Sequence, residues 1–152
     1  MATDVTGASW SGPQAHRRVL LVVSEPVGRG AVEAILEGEP PGRVGVLVVA
    51  PALPKSALRY WVSDTDEGTN HARTVEEATL AELRSDGVPS EGHVGSPDPL
   101  TAIEDALRLF DADEVVIAMH ATGRRRYGEG DLRAEVERRF GIPAAAIDPP
   151  AS

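Results

Sequence analysis

Three consecutive arginines, Arg124-Arg125-Arg126, stand in a glycine-rich turn, His120 to Gly130, between an apolar strand and an amphipathic helix. Arginine meets phosphate as a bidentate fork, and the first turn of a helix leaves backbone N–H groups free for an anion. A nucleotide or other phosphorylated ligand is the chemistry this turn would serve. Arg124 and Arg126 would hold its phosphates, with Thr122 and Ser24 as hydrogen-bond donors and Gly123, Gly128 and Gly130 as the loop glycines. The competing reading is a solvated turn, in which Glu129 and Asp131 pair with the arginines or cap the helix. His120 closes the strand and could contact the ligand or work with Glu25 as a general acid–base pair; a histidine filling the crevice mouth is the plainer alternative.

Other chemistries lack their residues. There is no cysteine, so disulfides and thiolate metal sites are excluded. The four histidines lack zinc-site spacing, and no metal site is expected. No G-x-S-x-G elbow is present, and Lys55, the sole lysine, lies in no P-loop pattern. Gly28-Arg29-Gly30 begins a dinucleotide fingerprint, but Glu33 takes the place of its third glycine. No catalytic residue is assigned.

The elements that must position these residues follow from the apolar pattern. Arg18–Val23 and Val44–Ala50 are unbroken β-branched and leucine runs, the signature of strands buried on both faces of a parallel sheet. Glu114–Met119 is a third such strand. Val88–Gly95, interrupted by Pro89 and Gly92, reads as an edge strand, and Ala144–Ile147 as a short last one. Between them, Val32, Ile35 and Leu36 mark one helix after a loop at Pro26, Gly28 and Gly30. Ala72, Val75, Thr79 and Leu83 mark a second, with Leu80 at its shoulder and Arg73, Glu76 and Glu77 on its solvated face. Leu100, Ile103, Leu107 and Phe110 mark a third, capped by Asp98 with Pro99 in its first turn. Leu132, Val136 and Phe140 mark the last. Ala52–Gly68 is long for a connection.

Alternation of this kind predicts an α/β, doubly wound, five-stranded parallel sheet with helices on both faces, Rossmann-like in its winding. Its ligand crevice lies beyond the carboxyl ends of the strands, where Ser24-Glu25-Pro26, Ala50-Pro51 and Met119-His120 would meet. The chain has 152 residues, 41% hydrophobic and 26% charged, enough for one domain over 17–148 with a lead-in over 1–16 and a tail over 149–152. The lead-in has no apolar core of a secretion signal, and no run reaches the roughly 18 residues of a membrane span. A cytoplasmic protein is expected, without a membrane. The net charge of -9 repels nucleic-acid backbone, and aromatic residues, at 4%, are too few for base stacking, so nucleic acid is not an expected partner.

Four stretches resemble the universal stress proteins: the first strand ending in a polar turn, Gly95-Ser96-Pro97 before the third helix, Leu109 to Ala118, and Gly141-Ile142-Pro143 before a short strand. The resemblance covers roughly Arg18 to Asp148. It implies a five-stranded doubly wound fold, a homodimer formed through the last strand, here Ala144–Ile147, and a stress-response role. Many such proteins bind ATP, with Mg²⁺ accompanying it, and some hydrolyse it slowly. In the ATP binders the first strand ends in an aspartate that contacts the base, and a G-x-x-G, nine residues, G-[ST] pattern follows the fourth strand. Here Ser24 followed by Glu25 stands at the first position, and from Gly123 the later glycines fall on Arg126 and Val136. The resemblance therefore leaves two forms open: a nucleotide-binding regulatory domain, or a dimeric protein-interaction module whose pocket has lost the nucleotide.

Overall fold

The computed structural model describes residues 17–52, 64–118 and 129–147. Its elements are β1 (Arg17–Val23), α1 (Arg29–Leu36), β2 (Val44–Pro51), α2 (Asp64–Ser85), β3 (Ser90–Gly95), α3 (Pro99–Leu109), β4 (Glu114–Ala118), α4 (Glu129–Phe140) and β5 (Ala144–Ala146), with a 3₁₀ turn at Pro41–Arg43 before β2. All five strands run parallel in one sheet ordered β3-β2-β1-β4-β5. This is the doubly wound sheet expected from the alternating pattern.

The unbroken apolar runs divide by parity. Val19, Leu21, Val23, Val44, Val46, Val48, Ala50, Val116 and Ala118 pack with the inner faces of α1 and α2. Leu20, Val22, Leu47, Val49, Val115 and Ile117 pack with α3 and α4 on the opposite face. Successive strand residues point to opposite faces, so a strand covered on both sides must be apolar throughout. The winding reverses at β1: α1 and α2 lie on one face, α3 and α4 on the other.

Several expected boundaries and faces move. Asp64, Asp66, Glu67 and Gly68 belong to α2 rather than to the preceding connection; acidic residues near a helix N-terminus are favoured by its dipole. Gly30 is the second residue of α1, not part of the loop before it. Glu129, Gly130 and Asp131 are likewise the first turn of α4, so Asp131 stands inside the helix and not at its cap. On α3 the fully buried positions are Ala102, Ile103 and Ala106, followed by Phe110, while Leu100 and Leu107 are half-buried. At Ala102 the helix approaches β3 too closely for a larger side chain.

That approach has a visible cause. A Cβ on Gly95 would lie 2.8 Å from Cβ of Ala102 and 3.1 Å from Cγ1 of Val49. α3 begins as expected: Asp98 Oδ2 accepts from Thr101 N at 3.0 Å and from Thr101 Oγ1 at 2.8 Å, with Pro99 in the first turn. Glu76 is a correction of another kind. It is half-buried rather than solvated, because β3 has no side chain at Gly92; a Cβ there would stand 3.0 Å from Cγ and Oε2 of Glu76.

Candidate functional site at the sheet's carboxyl rim

The reversal of winding makes the site. α1, which follows β1, covers one face of the sheet, whereas α4, which follows β4, covers the other, and in open α/β sheets ligands bind beyond the strand ends at such a switch of winding. Val23 and Ala118 are the last paired residues of β1 and β4. Ser24 and Glu25 follow directly on the β1 side, both half-buried. Val27 then returns to the core under α1 and α2, which anchors the short turn at both ends. Val22 opposite Val49 sets Ala50 level with Val23, one strand farther along the same rim. Ala50 is 1% exposed, so its methyl group belongs to the core and only its backbone is near the rim.

Glu25 makes no hydrogen bond or ion pair with any described residue. An ionised carboxylate only accepts hydrogen bonds, so it suits amino donors of a ligand and opposes its phosphates. Gly130 is the second residue of α4. His120, Thr122, Gly123, Arg124, Arg126 and Gly128, and with them the arginine turn, lie outside the described residues. So do most of the Ala52–Gly68 connection and the acidic run's side chains. The structure thus brings together Ser24, Glu25 and the backbone at Ala50. Among the described residues no group of three or more His, Asp or Glu side chains could hold a metal ion, and no helix is long and apolar enough to cross a membrane.

Three polar features escaped the sequence reading. Arg17, at the opposite end of the sheet, hydrogen-bonds Glu114 at 2.8 Å. His93 on β3 faces α3, and burial holds its pKa below the ordinary histidine value despite the opposing charge of Asp105. Glu137 on α4 accepts from the backbone N–H of Ala144 at 3.0 Å. Of these only the last had a local signal, a glutamate one turn ahead of the helix-ending Gly141.

No family model and no curated protein matches the chain. Its fold does match solved structures. A universal stress protein from Arabidopsis thaliana, solved with AMP bound, is 18% identical, with 89% of this chain and 93% of that one covered and a TM-score of 0.57. A universal stress protein from Archaeoglobus fulgidus is 21% identical over 88% of this chain and 99% of that one, with a TM-score of 0.54. One from Burkholderia pseudomallei is 19% identical over 85% and 94%, with a TM-score of 0.52. The chain therefore has a fold of the universal stress protein type.

Proposed function

We propose that this chain is a regulatory binding domain that takes a nucleotide or another small phosphorylated ligand at the carboxyl rim of β1 and β4. The observation that carries the reading is the winding reversal between those strands, with the half-buried Ser24 on its rim beside Glu25, which has no partner among the described residues. In this reading Ser24 and Glu25 meet the donor-bearing end of the ligand. Arg124 and Arg126 balance its phosphates, with Thr122, His120 and the glycines of the turn beside them. Support also comes from the AMP held by the Arabidopsis protein of the same fold. ATP with Mg²⁺ is the first ligand to test, the role is that of a cytoplasmic stress-response regulator, and the proposal contains no catalytic step.

Thermal unfolding with ATP, ADP, AMP and cyclic nucleotides, with and without Mg²⁺, tests it. A ligand that binds only the folded chain raises the melting temperature, by about 2.7 kcal/mol of added stability at a hundred times its Kd. The double variant Arg124→Ala/Arg126→Ala is expected to abolish that rise while melting at the unliganded temperature. No rise with any of these ligands overturns the reading.

A second reading concerns the partner. β5 is the terminal strand of the sheet, and its Ala145 and Ala146 are exposed. An open edge of this kind pairs with another copy of itself, so we assign a homodimer formed through Ala144–Ile147. In the alternative without a nucleotide, this edge is the working surface. A strictly monomeric mass across micromolar concentrations overturns it.

A further inference from the structure

We infer that Glu137 guards the outer edge of β5 and sets how readily a second copy of the chain pairs there; the inference rests on the dimer reading above. In a parallel ladder, alternate residues of a strand bond to a given neighbour. Pro143 O accepts from Val115 N, and Ile147 N donates to Ile117 O, each at 2.9 Å. Ala145, midway between them, belongs to the same set and turns its N–H and C=O toward β4. Ala144 and Ala146 turn theirs away from the sheet. β5 therefore presents two outward N–H groups.

One of the two is already taken. α4 ends at Phe140, and Gly141, at φ +66°, reverses the chain in a left-handed conformation that glycine adopts without strain. The reversal brings Ala144 N to 3.0 Å from Oε2 of Glu137, seven residues back. Arg133 Nη1 stands 3.7 Å from the other oxygen of the same carboxylate, on the preceding turn of α4. The carboxylate is thus held at the edge from two sides.

Two copies pairing through this edge across a two-fold axis would exchange outward N–H for outward C=O. Pairing must displace Glu137 from Ala144 in both copies and leave two carboxylates along one seam. Nothing else on the strand resists, since the exposed side chains of Ala145 and Ala146 are single methyl groups. A charged side chain laid against an open edge is a recurrent way of keeping strands apart. Glu137 is the obstacle here.

Sedimentation equilibrium of the full chain, over a micromolar concentration series, tests this in the wild type, Glu137→Ala, Glu137→Gln and Glu137→Ala/Ala146→Pro. Glu137→Ala is expected to tighten the dimer by about a hundredfold or more, the worth of two charged hydrogen bonds, one in each copy, no longer displaced. Proline at 146 removes the remaining outward N–H without touching the ladder to β4, and should return the double variant to monomer. Glu137→Gln keeps an oxygen for Ala144 and loses the charge, so it folds even if the alanine variant does not; an intermediate Kd is expected. Variants that dimerise with the wild-type Kd overturn the guard and leave the dimer reading standing. Monomers throughout, in chains that still melt cooperatively, overturn the dimer reading itself.

Discussion

Arg17 and Glu114, the first residues of β1 and β4, meet at 2.8 Å at the end of the sheet opposite the candidate site. The same guanidinium nitrogen donates to Ile35 O at 2.7 Å, and its twin to Leu36 O at 3.5 Å. One side chain therefore joins two central strands and closes the carboxyl end of α1, where unpaired carbonyls attract a cation. Burial alone would lower the arginine pKa, but the hydrogen bond and charge of Glu114 raise it above its usual value. The side chains are 15% and 27% exposed, so water screens this pair less than an ordinary surface bridge.

Replacing Arg17 with alanine is expected to lower unfolding stability by about 1.5–3 kcal/mol, the range for hydrogen bonds to charged groups. Glu114→Gln should cost less, since the amide oxygen still accepts. Urea unfolding of both single variants and the double variant gives the coupling between them. Additive losses would mean that Arg17 acts through α1 alone.

Gly95 and Gly92 make a contrasting pair on the same strand. At Gly95 an added methyl group meets the helical Cβ of Ala102 at 2.8 Å, which neither side can relieve by turning a rotamer. Gly95→Ala should therefore destabilise by about 1–3 kcal/mol through overpacking, and Ala102→Gly in that background should recover part of the loss. At Gly92 the nearest atoms, at 3.0 Å, are the flexible end of Glu76, with Val48 Cβ at 3.2 Å. Gly92→Ala should cost less than Gly95→Ala. Equal melting temperatures for the two variants would show that α3 does not sit as close to β3 as described.

These contacts mark where the sequence stops being informative. Val19–Val23 and Val44–Ala50 are apolar at every position, which declares burial on both faces but hides which residues go with which helices. The division appears only once α1 and α2 take one face and α3 and α4 the other. Asp98, Pro99 and the alternation of elements were legible because caps and periodicity are local. Glu76 was not, since its burial depends on a missing side chain sixteen positions away at Gly92. Nor was Arg17, whose partner is 97 residues on. At the site, Ser24 and Glu25 were legible because a polar turn after a buried strand marks a strand's carboxyl end. Ala50 was placed on the rim by the same logic, yet its side chain lies in the core because its parity matches Val48.

His93 and Glu76 titrate in opposite directions and can be separated by pH. Glu76 has its pKa raised, first by burial and also by Glu77, against Arg73 and Arg84. Its folded state holds a proton more tightly than the unfolded chain does. The group is therefore neutral for stability below the unfolded value of 4.5, and its charge becomes a penalty as pH rises through the raised folded value. Glu76→Gln should melt slightly higher than wild type at pH 7 and lose that advantage below pH 4.5. His93 has its pKa lowered by burial, with Asp105 opposing. The unfolded chain then binds the extra proton first, so stability falls as pH drops through 6.5 and levels off below the folded value. His93→Gln should flatten that fall while leaving the melting temperature at pH 8 nearly unchanged. Melting curves of the wild type and both variants across this range read the two effects independently, because the residues lie on opposite faces of β3. A wild-type profile that the histidine variant reproduces between pH 5 and 7 would place the titrating group elsewhere.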